Sequence, residues 1–466
     1  MRDLRRQALE SHKTVSRKAQ SKVSSRASSA AGSRASSHAG SRNASRHGSD
    51  EEEENLSDST NWRFVPRVYP ANPSQEIKAN LPPSTNSIDE LLSGEGVEDD
   101  GTDAWKQTLS VRIEEIIDRK RSSIQGRELA YAVYVHLLTT HYAFDTISSR
   151  KSDLLAAFLK SIKAESSEKE TQLAIRAIAV TLITSPSDAA YATVFPAIKR
   201  IYTSSESIAA KTTAISSLGS VLMYGGAADE ATEELLDELL EIIESDGTSI
   251  DAADEAPVVV AALESWGFLA TSLDDMEDRS EEAIEAFVEQ LESTDAAVQI
   301  AAGENIALLF EKSYTDREED DGPPEEIEDE EGFPLDTSLV KRYNVYRQTN
   351  QLQHTLRQLA AVSSKSISRK DRKHLHSSFG DILCTVEHPQ RGPRYQKAID
   401  QETGKRYGSR MKVKVHGGGS MTIDRWWKLM RLHELRRVLG GGFVVHYEHN
   451  EVVFDSLPIM MSLQDD

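Results

Sequence analysis

From about Ser110 to Phe310 the apolar residues recur at spacings of three and four, and no other feature of the sequence restricts the fold as strongly. Val111, Ile113, Ile116 and Ile117 open the series, and Leu129, Val133, Leu137 and Leu138 follow. It continues through Leu154, Leu155, Phe158, Leu159 and Ile162, then Leu173, Ile175, Ile178, Val180, Leu182 and Ile183. That period puts an apolar stripe on each of a succession of α-helices, whereas a half-buried strand needs period two. Further helices are predicted at roughly 189–203, 207–223, 231–244, 256–272, 278–293 and 295–313. Breaks at Ser185-Pro186-Ser187-Asp188, Gly225-Gly226 and Ser245-Asp246-Gly247 separate them. About ten short helices with short joints stack as antiparallel pairs, and their Ala-rich stretches suit close helix–helix contact. The predicted fold class is mainly α: an armadillo/HEAT-like α-solenoid over residues 105–315, favoured over a closed bundle.

The flanks read differently. Residues 25–48 hold three imperfect octads, Ser25–Gly32, Ser33–Gly40 and Ser41–Gly48, with no apolar residue larger than alanine. Such a stretch cannot bury enough surface to offset the entropy of ordering it. Residues 1–60 are therefore expected to form a disordered basic tail with an acidic end, and 61–104 a linker. Residues 316–335 are an acidic linker, expected not to pack. A small α+β C-terminal domain follows over 336–460. In it, 338–362 and 369–386 look helical. Arg410–His416 and Ser420–Ile423 alternate around Gly417–Gly419 as a hairpin. Asp424 is placed to cap a helix from Arg425 to Leu439. Phe443–Tyr447 and Val452–Phe454 are expected to add strands.

Charge is segregated along the chain. The net charge is −22, yet residues 1–48 carry 11 Lys/Arg against 2 acids and residues 341–450 carry 22 against 8. An acidic middle with basic flanks can present cationic surfaces to a polyanion and stay soluble. In the tail the candidate phosphate contacts are Arg2, Arg5, Arg6, Lys13, Arg17 and Lys18. In the C-terminal module they are Lys365, Arg369, Lys370, Arg372 and Lys373, of which Lys365, Arg369 and Lys373 share one helical stripe at a spacing of four.

Catalytic and metal-binding patterns are missing. There is no Gly-rich phosphate loop, no His-Glu-x-x-His and no nucleophile elbow. His374 and His376 read as surface residues. His446 and His449 lie close enough in sequence to meet, but two histidines make a weak metal signal. The one cysteine, Cys384, sits in an apolar stretch as a small hydrophobe, and excludes a disulfide framework. The start of the chain lacks an apolar secretory core, and no run of about 18 apolar residues exists to span a membrane. A cytoplasmic or nuclear protein without cofactor or small-molecule substrate is expected. Trp426 and Trp427, adjacent on a helix, cannot both face the core.

Four stretches resemble the interferon-related developmental regulator family. The first is Val298–Glu311, with Ala302, Gly303 and Glu304. The second is Phe379–Glu387, with Asp381 and Leu383. The others are Met421–Trp426, with Ile423 and Asp424, and Val438–Gly442, with Leu439 and Gly440. The resemblance covers about 105–315 and 365–457; Gly417–Gly419 and the Ser/Arg octads depart from it. It implies an armadillo-like helical domain followed by a small C-terminal domain, with no enzymatic activity. It further implies association with ribosomes that are not translating, or transcriptional co-regulation through protein partners. A ribosome or ribosomal RNA is the leading expected partner. The alternative is a co-regulator complex bound through the solenoid.

Overall fold

The computed structural model describes residues 104–120, 122–322, 338–361, 369–399, 406–415 and 420–458. They fall into two compact units. One holds residues 412–421, and the other runs up to Met411 and resumes over Thr422–Pro458. The expected tail and the 61–103 linker lie outside the described residues.

Residues 104–313 are helical, as the period of the apolar residues requires. The helices are α1 (Ala104–Ile117), α2 (Ile124–Thr140), α3 (Phe144–Ser148), α4 (Lys151–Ala164), α5 (Glu168–Thr184), α6 (Ala190–Ser204), α7 (Ile208–Tyr224), α8 (Asp229–Glu244), α9 (Ala256–Ala270), α10 (Glu277–Gln290) and α11 (Ala296–Lys312). Their starts obey local chemistry: Ser123, Ser167, Ser207 and Asp295 each accept a backbone N–H of the first turn. They stack in two rows. Helices α2, α5, α7, α9 and α11 pack consecutively as the inner row, and α1, α4, α6, α8 and α10 lie against them as the outer row. This is an α-solenoid of antiparallel helix pairs.

The rows differ in composition because they differ in surroundings. On α8, Leu235, Leu236, Leu239, Leu240, Ile242 and Ile243 are buried, while the other face carries Glu and Asp. Helix α5 is buried along most of its length, from Leu173 to Thr184, and α9 from Val258 to Ala270 with few exceptions. A helix that is apolar on nearly every side needs neighbours on every side. The outer row supplies one side only, and the C-terminal helices described below supply the other.

Two antiparallel strands, β1 (Tyr314–Asp316) and β2 (Leu339–Lys341), pair Tyr314 with Lys341 and Asp316 with Leu339. The expected helix from 338 therefore begins only at α12 (Thr349–Ala360). The start of the acidic segment is packed, contrary to expectation. Arg342 Nη1 donates to Asp321 Oδ1 at 2.7 Å and Nη2 to Oδ2 at 2.8 Å, so one guanidinium neutralises it bidentately. Residues 323–337 lie outside the described residues. Helix α13 (Arg369–Glu387) packs against both α12 and α11, so the inner row continues past the acidic segment. Strands β3 (Tyr395–Ile399) and β4 (Arg406–Ser409) form one hairpin, and β5 (Met411–Lys414) pairs with β6 (Ser420–Ile423) as the alternation predicts.

The last segment departs from expectation. After α14 (Trp426–Leu439), residues 443–449 and 451–456 form α15 (Phe443–His449) and α16 (Glu451–Ser456), not strands. The β-branched and aromatic residues there have a strand-like composition, but Val453, Phe443 and Tyr447 are buried on a helical surface, and tertiary packing overrides that weak preference.

A buried ion pair joins the first two inner helices. Arg127 on α2 reaches Glu170 on α5 with Nε at 2.7 Å from Oε1 and Nη2 at 2.8 Å from Oε2, and the Glu170 side chain has no exposure. Burial is the largest influence on Glu170 and opposes its charge, but the hydrogen bonds from Arg127 and Ser161 and the charges of Arg127 and Arg119 together outweigh it and hold the carboxyl below its usual range. Arg127→Met removes the bidentate partner and leaves that carboxylate with Ser161 and the longer Arg119 contact at 3.5 Å. A loss of about 3 kcal/mol of unfolding free energy is expected in urea denaturation, and a change under about 0.5 kcal/mol would show the pair to be dispensable.

Candidate functional site

The residues singled out in the sequence divide between two places. Arg2, Arg5, Arg6, Lys13, Arg17, Lys18 and Lys365 lie outside the described residues. Arg369 and Lys370 fall on the first turn of α13, where the backbone alone is described. Arg372 is half-buried and Lys373 exposed on the next turn. Sequence reasoning passed over a second cationic element, the β3–β4 hairpin. There the Arg391 guanidinium lies 5.1 Å from the Tyr395 ring centre and that of Arg410 lies 4.4 Å from the Tyr407 ring centre.

The family-signature residues build a seam where the C-terminal helices meet the inner row. On α11, Ala302 is fully buried and Gly303 faces α13. A Cβ at Gly303 would stand 2.7 Å from Ile382 Cδ1 and 3.1 Å from Phe379 Cε1, so only hydrogen fits without displacing two buried side chains. Phe379 and Ile382 are themselves fully buried. Asp381 sits 3.3 Å from Arg394 Nε; burial, opposed by Arg394, pushes its carboxyl up to about 6. Leu383 is half-buried, and Glu387 is exposed at the end of α13, paired with Arg357 of α12. Cys384, expected in the core, is half-buried.

Helix α14 then crosses the inner row, packing on α2, α5, α7, α9 and α11. Its N-terminus is capped from another helix. The Glu311 carboxylate at the end of α11 accepts from Trp426 N at 2.8 Å and from Trp427 N at 3.1 Å. This meets both the unsatisfied amides and the positive end of the helix dipole. Burial, opposed by those two N–H donors, pushes the Glu311 carboxyl up to about 7. Asp424, expected as the cap, instead accepts from Lys428 Nζ at 2.6 Å and stays half-exposed. Ile423 and Trp426 are buried, and Trp426 Nε1 donates to Thr385 Oγ1 on α13 at 2.7 Å. Trp427 points the other way, beneath Arg431 and Lys428 at 5.0 and 5.5 Å from its ring centre. One tryptophan is core and the other is not, as their adjacency requires.

The turn at the far end is equally close. Leu439 is fully buried, Gly440 adopts φ of +55°, and a Cβ on Gly442 would lie 1.6 Å from Thr139 O. The backbone therefore runs directly against the end of α2. Beyond it His446 Nε2 donates to Leu138 O at 2.7 Å, and Asn450 Nδ2 donates to Ile183 O at 2.9 Å. These bonds satisfy carbonyls at the ends of α2 and α5. Burial lowers the His446 imidazole to about 4, so it is neutral and structural; His449, expected to meet it, is exposed. Among the described residues no group of three or more His, Cys, Asp or Glu side chains is arranged to hold a metal ion.

Between the ends, α14 carries a polar network into the apolar row. Glu434 Oε1 accepts from Ser220 Oγ of α7 at 2.6 Å. Arg437 pairs with Glu434 and donates to Glu264 Oε2 of α9 at 2.6 Å. Arg431 Nε donates to Thr271 Oγ1 at 3.0 Å. His433 Nδ1 and Glu304 Oε2 are 3.8 Å apart, near enough for an ion pair, yet their titration opposes one. Burial first, then the nearby Glu264 and Asp381, raise Glu304 to about 8. Burial, then Arg436, Arg437 and His374, lower His433 to about 4. Near neutral pH each therefore favours its uncharged form. The contacts of 32% of the His433 side chain and 16% of the Glu304 side chain with solvent moderate both effects.

A carboxyl raised above its unfolded value stabilises the fold most below the unfolded pKa, and that contribution is lost as pH rises through the folded one. Glu304 therefore weakens the fold between about pH 4.5 and 8 relative to lower pH. The difference in stability between Glu304→Gln and the parent chain is expected to grow in the variant's favour across that window. Chemical denaturation at pH 5, 6.5 and 8 reads it, and a difference that stays flat with pH would contradict the neutral Glu304.

Comparison with known proteins agrees with the signature residues. A family model described as interferon-related developmental regulator matches residues 80–387. An uncharacterized protein of Schizosaccharomyces pombe is 30% identical over 378 residues, covering 78% of this chain and 77% of its own. Interferon-related developmental regulator 1 of Homo sapiens is 23% identical over 389 residues, covering 80% of this chain and 75% of its own. Interferon-related developmental regulator 2 of Mus musculus is 28% identical over 219 residues, covering 45% and 40%. With the family model spanning most of the chain and the signature residues forming one packed seam, this chain belongs to the interferon-related developmental regulator family.

Proposed function

We propose that the chain is a non-enzymatic regulatory scaffold that binds ribosomes through ribosomal RNA and acts in translational control. The observation that carries this reading is the segregation of charge: 22 Lys/Arg against 8 acids over residues 341–450, beside a strongly acidic solenoid. Several of those cations are engaged within the protein. Arg431 and Arg437 hold α14 to the solenoid, and Lys428 is buried. Lys373, Arg394, Lys397 and Arg410 are exposed on α13 and around the β3–β4 hairpin. A surface of that kind follows phosphates, while the acidic outer helices discourage non-specific spreading along nucleic acid.

The rival reading, capture of a peptide from a transcriptional co-regulator complex in the solenoid, meets an obstacle. The inner row, where a peptide would lie, is covered by α14. Vacating it strips the Glu311 carboxylate of its two N–H donors and breaks the contacts of α14 with Ser220 and Glu264, a cost of several kcal/mol. The signature residues thus maintain the covered state. No helix among the described residues is long and apolar enough to cross a membrane, and neither reading uses one.

Cell extract fractionated on a sucrose gradient separates the two. Co-migration with ribosomes, lost on RNase treatment, is expected. With purified ribosomes, Arg369→Ala, Lys370→Ala, Arg372→Ala and Lys373→Ala together are expected to weaken binding and flatten its dependence on salt, since each lost phosphate contact releases fewer counterions. Free migration with nuclear enrichment, and ribosome binding by the four-alanine variant with unchanged affinity and salt slope, would transfer the lead to the co-regulator reading.

A further inference from the structure

We infer that the β3–β4 hairpin is a binding platform for single-stranded RNA, with Tyr407 offering its ring to an unstacked base and Arg410 and its neighbours holding the flanking phosphates. The inference rests on the ribosomal-RNA reading and gives it a site other than α13.

Exposed large apolar side chains are few among the described residues, and two of them, Ile399 at 48% and Tyr407 at 43%, sit on this one hairpin. Cations accompany them on the described part of the hairpin: Arg394, Lys397 and Arg410 are exposed and Arg406 is half-buried, and neither strand contains an acid. The Arg410 guanidinium stacks over Tyr407 at 4.4 Å and donates to Gln396 Oε1 at 3.0 Å. The stack orients a flat cation and a flat ring before any ligand arrives, so less side-chain freedom is lost on binding. Arg391 over Tyr395 repeats the arrangement at the start of the hairpin. Gly408, at φ +64°, follows Tyr407, and a Cβ there would meet nothing within 4 Å; the backbone beside the ring is open.

Single-stranded RNA suits this surface better than a duplex. A duplex hides its base faces, leaving an exposed tyrosine nothing to stack on, whereas an unpaired base presents a π-face to the ring and its phosphates to the cations. An acidic protein would satisfy the cations but not the Arg–Tyr stack. The exposed Tyr407 ring, stacked beside the exposed Arg410, therefore favours a strand with free bases.

The test uses the full chain and a fluorescein-labelled 16-nucleotide oligo(U), with a DNA oligo(T) and an RNA duplex of equal length as comparisons, read by anisotropy. Tyr407→Ala is expected to weaken oligo(U) binding about 10-fold, the loss of one stacked base. Tyr407→Phe, which keeps the ring, is expected to bind as the parent does. Arg410→Gln is expected to lower the salt slope. Equal affinity of Tyr407→Ala and the parent, equal loss in Tyr407→Ala and Tyr407→Phe, or a preference for the duplex or the DNA would each overturn the platform. If Tyr407→Ala binds oligo(U) normally while the four-alanine α13 variant fails to bind ribosomes, the platform falls and the ribosome reading stands. If the parent chain binds neither oligo(U) nor ribosomes, both fall.

Discussion

The Glu311 carboxylate fixes where the last third of the chain can go. It stands at the end of α11, buried, and its two oxygens take the first two amides of α14. A buried carboxylate is costly without donors, and a helix N-terminus is costly without acceptors; each resolves the other. Once that joint is made, α14 is aimed along the inner row, and its polar anchors meet Ser220 on α7 and both Glu264 and the C-terminal residue Thr271 at α9. At the far end Gly442 lets the chain close against Thr139. The inner helices are apolar on nearly all sides because this helix covers the side the outer row leaves open.

That arrangement gives the signature residues a common physical cause. Gly303 is needed because α13 approaches α11 too closely for a side chain, and Gly442 because the backbone abuts a carbonyl. Trp426 fills the angle between α13 and α14 and satisfies its indole N–H on Thr385. These positions preserve a way of packing. They are separate from the exposed cations that carry the binding readings, which explains why a pattern can identify the family without pointing to its partner.

Much of the solenoid was legible because apolar period three-to-four is a local signal, and the β5–β6 pairing was legible from strict alternation. What escaped depended on contacts distant in sequence. The cap on α14 comes from Glu311, 115 residues before Trp426, so the nearer Asp424 was the only acid local reasoning could offer. Phe443–Tyr447 and Val452–Phe454 read as strands because their residues are β-branched or aromatic; burial against helices decided otherwise. The packing of Asp321 escaped for the same reason, since its partner Arg342 lies beyond the acidic stretch. The Arg–Tyr hairpin was missed because its cations are dispersed in sequence and gather only when β3 and β4 pair.

The central claim is that α14 belongs to the cooperative core of the solenoid and does not merely rest on it. Native-state hydrogen exchange of the full chain, read by mass spectrometry at peptide resolution, tests this most directly. Amides of residues 429–439 are expected to exchange with the same protection as those of α5, α7 and α9, because the shared buried network opens only when the row does. Exchange of 429–439 many-fold faster than the inner row, with the row itself still protected, would show that α14 leaves its seat independently and would contradict the account.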